Sequence, residues 1–164
     1  MKIKFASYLA IAAMLPGLLA PVSAQAQTYE RIIQHSSKPC QGSGPALAIT
    51  IDGVKNSVGT VRVVLYRAQQ SDWLEKGRWM QRFEIPAQKG RMQVCMPVPA
   101  PGEYAVAMRH DSNGNGKDEI FADGGGMSRD PSVNVFNLGR PHVSKASFTV
   151  GNEVKPMTIR MRYL

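Results

Sequence analysis

Oxygen-bearing side chains recur at alternate positions, as Asp111, Asn113 and Asn115, in the segment His110-Asp111-Ser112-Asn113-Gly114-Asn115-Gly116-Lys117-Asp118-Glu119. Gly116 follows at the sixth place, where a calcium loop needs its sharp turn. With Asp111 as position 1, the Lys117 carbonyl falls at 7 and Glu119 at 9. Hard oxygen donors at this spacing suit calcium. Position 12 is Ala122, so the usual bidentate acid is lacking. Two of the donors are neutral amides, so the expected affinity is weak, roughly 10⁻⁴ to 10⁻³ M. The same residues make turns without any metal. Asn-Gly occurs twice in succession, and Asp111 can accept backbone N–H bonds in an Asx-turn. Two readings therefore stand for Asp111, Asn113, Asn115, Lys117 and Glu119: a weak calcium site, or a self-satisfied structural loop.

Other chemistry has less to stand on. The histidines are His35, His110 and His142. His110 with Ser128, or His142 with Ser144, could be drawn as nucleophile and base, yet neither sits in a nucleophile-elbow or triad context. His110, ending a strand beside the Asp111 loop, reads better as a hydrogen-bonded brace. Two cysteines and scattered histidines make no zinc pattern. Gly124-Gly125-Gly126 lacks the Lys-Ser/Thr of a phosphate loop and reads as a hinge. Trp73 and Trp79 flank Gly77 and could form an aromatic platform for a sugar, with at least one of them expected in the core.

These residues need a scaffold, and the hydrophobic pattern supplies one. Leu47, Ile49 and Ile51 alternate with Ala48, Thr50 and Asp52, with Asp52-Gly53 as a turn signal. Period-2 alternation recurs at Val61 to Tyr66, Trp79 to Ile85, Met92 to Met96, Glu103 to His110, Ala146 to Val150 and Met157 to Tyr163. A short helix could sit within 67–78, stopped by Gly77. Seven short strands with Gly/Pro/Asn punctuation predict an all-β, antiparallel β-sandwich, with a small barrel as the alternative. The long glycine-rich connection at 111–144 is the irregular part, and such loops are usually functional or mobile.

The chain opens with Lys2 and Lys4, an apolar run from Phe5 to about Ala20, and then Val22-Ser23-Ala24-Gln25-Ala26. That order predicts a secretory signal peptide at 1–26, cleaved after Ala24 or Ala26. Pro16, Gly17 and Pro21 interrupt the run, which argues against a spanning helix. An N-terminal arm at 27–44 and a sandwich domain at 45–164 follow. In an exported chain, Cys40 and Cys95 are most simply a disulfide. It would close a loop of about 55 residues, worth on the order of 4 kcal/mol in the chain-entropy model. Strand parity puts Cys95 opposite Met92, Val94 and Met96, so the bridge would strap the arm onto the outside of its sheet. The formal charge is +8. The arginines are dispersed, so a solvated basic surface is expected rather than a specific nucleic-acid site.

The segment Pro101-Gly102-Glu103-Tyr104-Ala105-Val106-Ala107-Met108-Arg109-His110-Asp111-Ser112-Asn113-Gly114-Asn115-Gly116 resembles the bacterial secreted proteins of the domain-of-unknown-function family 2141. Their hallmark is a Pro-Gly-Glu-Tyr-Ala strand entering a His-Asp-x-Asn-x-Asn-Gly loop with an acidic residue after it, here Glu119. Gly126-Met127-Ser128 stands where the family has Gly-Phe-Ser. Met127 thus replaces the usual aromatic, and Arg129-Asp130-Pro131 replaces asparagines. The likeness covers about residues 45 to 164. It implies an exported β-sandwich of the immunoglobulin or transthyretin-like sort, with no established activity. The combined expectation is a periplasmic or secreted, non-catalytic binding domain whose partner is an envelope protein, a peptide or a glycan. A small periplasmic hydrolase is the alternative.

Overall fold

The computed structural model describes residues 31–119, 121–132 and 139–163. The signal-peptide reading of 1–26 lies outside them. The described residues form ten strands in two sheets: β1 (Arg31–Ile32), β2 (Ala46–Val54), β3 (Thr60–Arg67), β4 (Gln81–Pro86), β5 (Gly90–Pro97), β6 (Gly102–His110), β7 (Gly124–Met127), β8 (Phe148–Val150), β9 (Val154–Arg160) and β10 (Arg162–Tyr163). The larger sheet runs β1-β4-β3-β6-β7-β10, with β8 also paired to β6; the smaller is β5-β2-β9. The all-β sandwich expected from the sequence is observed. Within it two pairings, β1 with β4 and β2 with β9, run parallel.

Alternation builds the core. Leu47, Ile49 and Ile51 of the small sheet face Val61, Val63, Leu65, Val106 and Met108 of the large one, all at most 5% exposed. Each side chain of this size contributes about 1.5–3 kcal/mol when fully buried. Asp52-Gly53 does not end β2. It forms a bulge, with the register shifting between Ile51 and Val54, so the strand bends without stopping. The last strand region changes sheets. β9 lies parallel to β2 and β10 lies antiparallel to β7, with Met161 N–H donating to the Asp52 carbonyl at 2.8 Å between them. Pro156, which cannot donate to a ladder, sits in β9 at the sheet edge.

A second apolar cluster covers the outer face of the large sheet: Val64, Tyr66, Ala105 and Ala107 under Trp73, Val143 and Ala146. Two chain segments form its lid. Trp73 Nε1–H donates to the Pro141 carbonyl at 2.9 Å, and Val143 N–H to Gln70 Oε1 at 2.9 Å. The expected helix within 67–78 is absent, replaced by turns with Leu74 at φ 59°. Trp73 had to reach the sheet, and a helix stopped by Gly77 would have spread too few apolar residues to bury. Trp73 is 2% exposed, which removes it as a sugar platform. Trp79 is half-buried under the Arg82 guanidinium, 4.9 Å from its ring centre.

Cys40 and Cys95 are bridged. Cys40 lies in a 3₁₀ turn at Lys38–Gln41 that packs on β2 and β5. His35 Nε2 accepts the Cys95 backbone N–H at 3.2 Å, so the arm also satisfies the edge of β5. Among the described residues no helix is long and apolar enough to cross a membrane.

Candidate functional site

Strand register places one row of residues straight across the outer face of the large sheet. Glu84 of β4 pairs with Arg62 of β3, Arg62 with Arg109 of β6, Arg109 with Gly125 of β7, and Gly125 with Arg162 of β10. Arg62 and Arg109 are like charges directly opposed, which destabilises a sheet unless compensated. Compensation comes from acids on both sides. Arg62 Nε meets Glu84 Oε1 at 2.7 Å. Asp118 bridges both guanidiniums, 3.6 Å from Arg62 and in contact with Arg109. Arg109 Nε donates to Asp123 Oδ2 at 2.9 Å. Arg162, at the far end, donates only to the Pro131 carbonyl, at 3.4 Å, and has no acid within bridging distance among the described residues.

Asp123 is buried, and burial pushes its carboxyl pKa up. The Glu119 N–H, the Arg109 guanidinium and the Ser112 N–H outweigh this and hold it below the usual Asp range. Glu119 is also lowered, by amide bonds from Asn113 and Asn115.

The Asp111 loop closes on itself. Asp111 Oδ1 accepts the Gly114 and Asn115 N–H groups at 3.0 and 3.2 Å, and Oδ2 accepts the Gly116 N–H at 2.8 Å. Asn113 Oδ1 accepts the Asn115 N–H, and Asn115 Oδ1 accepts the Lys117 N–H. The Lys117 carbonyl accepts from Arg109. The five sequence-predicted residues are thus brought together, each engaged by a donor of the protein. Among the described residues no group of three or more His, Cys, Asp and Glu is arranged to hold a metal ion.

His110 is fully buried at the core side of β6. Its Nε2 lies 2.9 Å from the Val58 carbonyl and its Nδ1 2.6 Å from the Tyr163 hydroxyl. A carbonyl can only accept, so Nε2 carries a proton. The Tyr163 hydroxyl accepts the Lys55 N–H at 2.9 Å, and burial raises its pKa, so the phenol keeps its proton and donates to Nδ1. Ser128, the serine paired with His110 on paper, is elsewhere. Its Oγ accepts the Val106 N–H at 3.0 Å and donates to the Ala146 carbonyl, stitching β6 to the lid. His142 caps the 3₁₀ turn Val143–Lys145, where Nδ1 accepts the Ser144 N–H at 3.3 Å.

A family model described as "Uncharacterized protein conserved in bacteria (DUF2141)" matches residues 49–158, two-thirds of the chain. The chain belongs to this family. The match runs from β2 into β9, so it takes in the DUF2141 strand β6, the Asp111 loop and the triple glycine alike. Neither a curated protein nor a solved structure matches.

The triple glycine of this DUF2141 domain is a strand, not the hinge expected. β7 pairs with β6 on one side and β10 on the other. Glycine is required where β9 and β10 press close. A Cβ on Gly124 would lie 2.5 Å from the Tyr163 ring, and one on Gly126 2.7 Å from the Arg160 carbonyl. Gly125 points the other way, and a Cβ there would meet nothing within 4 Å. The gap it leaves in the arginine row is the floor of a cleft of about 330 Å³. Met108, Met127 and Pro131 line it with the glycines. Arg109, Asp118, Glu119 and Asp123 stand at one rim, with Asp130, Arg160 and Arg162 at the other. Arg162 and Asp130 were not read as site residues from sequence, and Gly125 was read only as part of a hinge. The one available signal was a run of glycines inside a long connection, which can mark a close backbone approach.

Proposed function

We propose that this chain is an exported, non-catalytic binding domain of the cell envelope or extracellular space, and that the cleft over Gly125 is its ligand site. The cleft carries the reading. It is concave, floored by backbone and methionine, rimmed by a few charged groups, and within the size range of small-molecule sites. The cysteine pair and the signal-like N-terminus support export. Arg109, Asp118 and Asp123 are committed to one another, and both His110 nitrogens are engaged inside the core. Those commitments suit a rigid rim better than a proton-transfer centre. In this reading the Asp111 loop is structural, holding Asp118 and Glu119 at the rim.

The test is a fragment screen of the ¹⁵N-labelled mature protein by NMR. Binding should shift the Gly124–Met127 amides and leave those of β5 unmoved. If no fragment moves the Gly124–Met127 amides, the cleft is not a ligand site. Export is tested by the mass of protein recovered from the periplasm, which should lack the first 24 or 26 residues. Calcium is added to a parallel sample. The structural role predicts an unchanged melting temperature at millimolar calcium, while a saturable rise of several degrees would restore the loop as a weak metal site.

A further inference from the structure

We propose that the cleft over Gly125 selects a small apolar monocarboxylate, with its acid group on Arg162 and its apolar body over Gly125 and Met127. This rests on the cleft being the ligand site and adds the class of ligand. Three observations combine. First, the other cations of the cleft are already paired. Arg109 is bound by Asp118, Asp123 and the Lys117 carbonyl. Arg160, on the same side as Arg162, has Asp130, with its Nε 4.0 Å from Oδ2 and its N–H 3.0 Å from Oδ1. Among the described residues that leaves Arg162 as the cleft cation with a single carbonyl contact, its guanidinium retaining donors for the forked geometry that a carboxylate accepts.

Second, the surface between the rims is apolar and side-chain-free at its centre. Gly125 stands directly beside both Arg109 and Arg162 in register, so the open strip is about two strand spacings wide, roughly 10 Å. An aliphatic or aromatic body fits over that strip and buries against the methionine and glycine floor. Third, the far rim ends in Glu119, whose carboxylate is hydrogen-bonded, among the described residues, to the neutral Asn113 and Asn115 amides. With its lowered pKa it stays charged at neutral pH. A second acid on the ligand would meet that charge, so dicarboxylates and polyanions are disfavoured. The site discriminates by sign at both ends.

The experiment titrates the mature protein with octanoate, octanol and octanedioate, reading the Gly125 and Met127 amides by NMR. Octanoate should bind at least about tenfold more tightly than either of the other two, the margin of one charge-assisted contact. Arg162→Gln should reduce octanoate binding to the octanol level and leave octanol unchanged. Gly125→Leu should abolish both while the Asp111-loop amides keep their native shifts. Equal binding of octanoate and octanol, or octanoate binding that survives Arg162→Gln, would overturn the carboxylate assignment. If neutral or cationic fragments occupy the cleft and octanoate does not, the ligand class fails and the binding role stands. If nothing moves the cleft amides, both fail together.

Discussion

His110 Nδ1 lies 2.6 Å from the Tyr163 hydroxyl, joining the end of the central strand β6 to the last strand β10 inside the core. Through Nε2 the same ring holds the Val58 carbonyl, and through Tyr163 it reaches the Lys55 N–H. One imidazole therefore ties the connection between β2 and β3, the strand before the Asp111 loop and β10.

His110→Ala should cost about 2–4 kcal/mol, from lost packing and from the Val58 carbonyl and the Tyr163 O–H losing their shared partner. Tyr163→Phe should cost about 1–2 kcal/mol, because it strips Nδ1 of its donor. Urea unfolding of the two single variants and the double variant measures the coupling. Strict additivity would show that the bond contributes nothing of its own.

Gly59 has φ +68°, and a Cβ there would sit 1.9 Å from the Asp111 carbonyl oxygen. Gly116 has φ +74° with open space around the same position. Gly59→Ala must move backbone as well as adopt a left-handed conformation, so it should cost on the order of 3 kcal/mol or more. Gly116→Ala should cost only the conformational penalty, about 1–2 kcal/mol. Thermal melts rank them, and the opposite order would contradict the packing of turn against loop.

Asp123 is held ionised in the fold, so its stabilisation is complete above the unfolded Asp pKa of about 3.9 and is lost as pH falls through its lower native value. Asp123→Asn should be about 1–3 kcal/mol less stable than the parent at pH 7. The gap should close as pH falls below about 4 and through the lowered native pKa. Chemical denaturation across that range is the measurement; a gap that stays constant would mean that shape, not charge, matters at this position.

Much of the scaffold was legible. β2, β3, β5 and β6 announce themselves because each sets a large apolar residue at every second position toward the core, in series that begin at Leu47, Val61, Met92 and Tyr104. Parity even placed Cys95 opposite the core series of β5. β7 could not be read this way. A strand of glycines has no side chains to alternate, and its identity rests on backbone pairing with residues at 107–110 and 162–163. The arginine row was hidden for a related reason. Each of Arg62, Arg109 and Arg162 is visibly outward on its own strand, but only long-range register sets them in line with Gly125. The Asp111 loop was legible as a tight turn, because Asp, Asn and Gly carry their turn chemistry locally.

Replacing Cys40 and Cys95 with serine together should lower stability by about 2–4 kcal/mol, the range for closing a loop of this length. The folded variant should keep its β-sheet circular dichroism, since both sheets pair without the bridge. Loss of all structure at 25 °C would assign the arm a larger part in the fold.

The strand pair β9–β10 crosses from one sheet to the other within ten residues, at Met161. Both sheets are therefore finished by the same late stretch of chain: the small one gains a strand beside β2, and the large one gains the strand that seats Tyr163 on His110 and Arg162 at the cleft. A chain emerging from its N-terminal end can pair β2 with β5, and β3 with β4 and β6, before the stretch that belongs to both sheets has arrived, so the contacts of longest sequence separation are the last that can form.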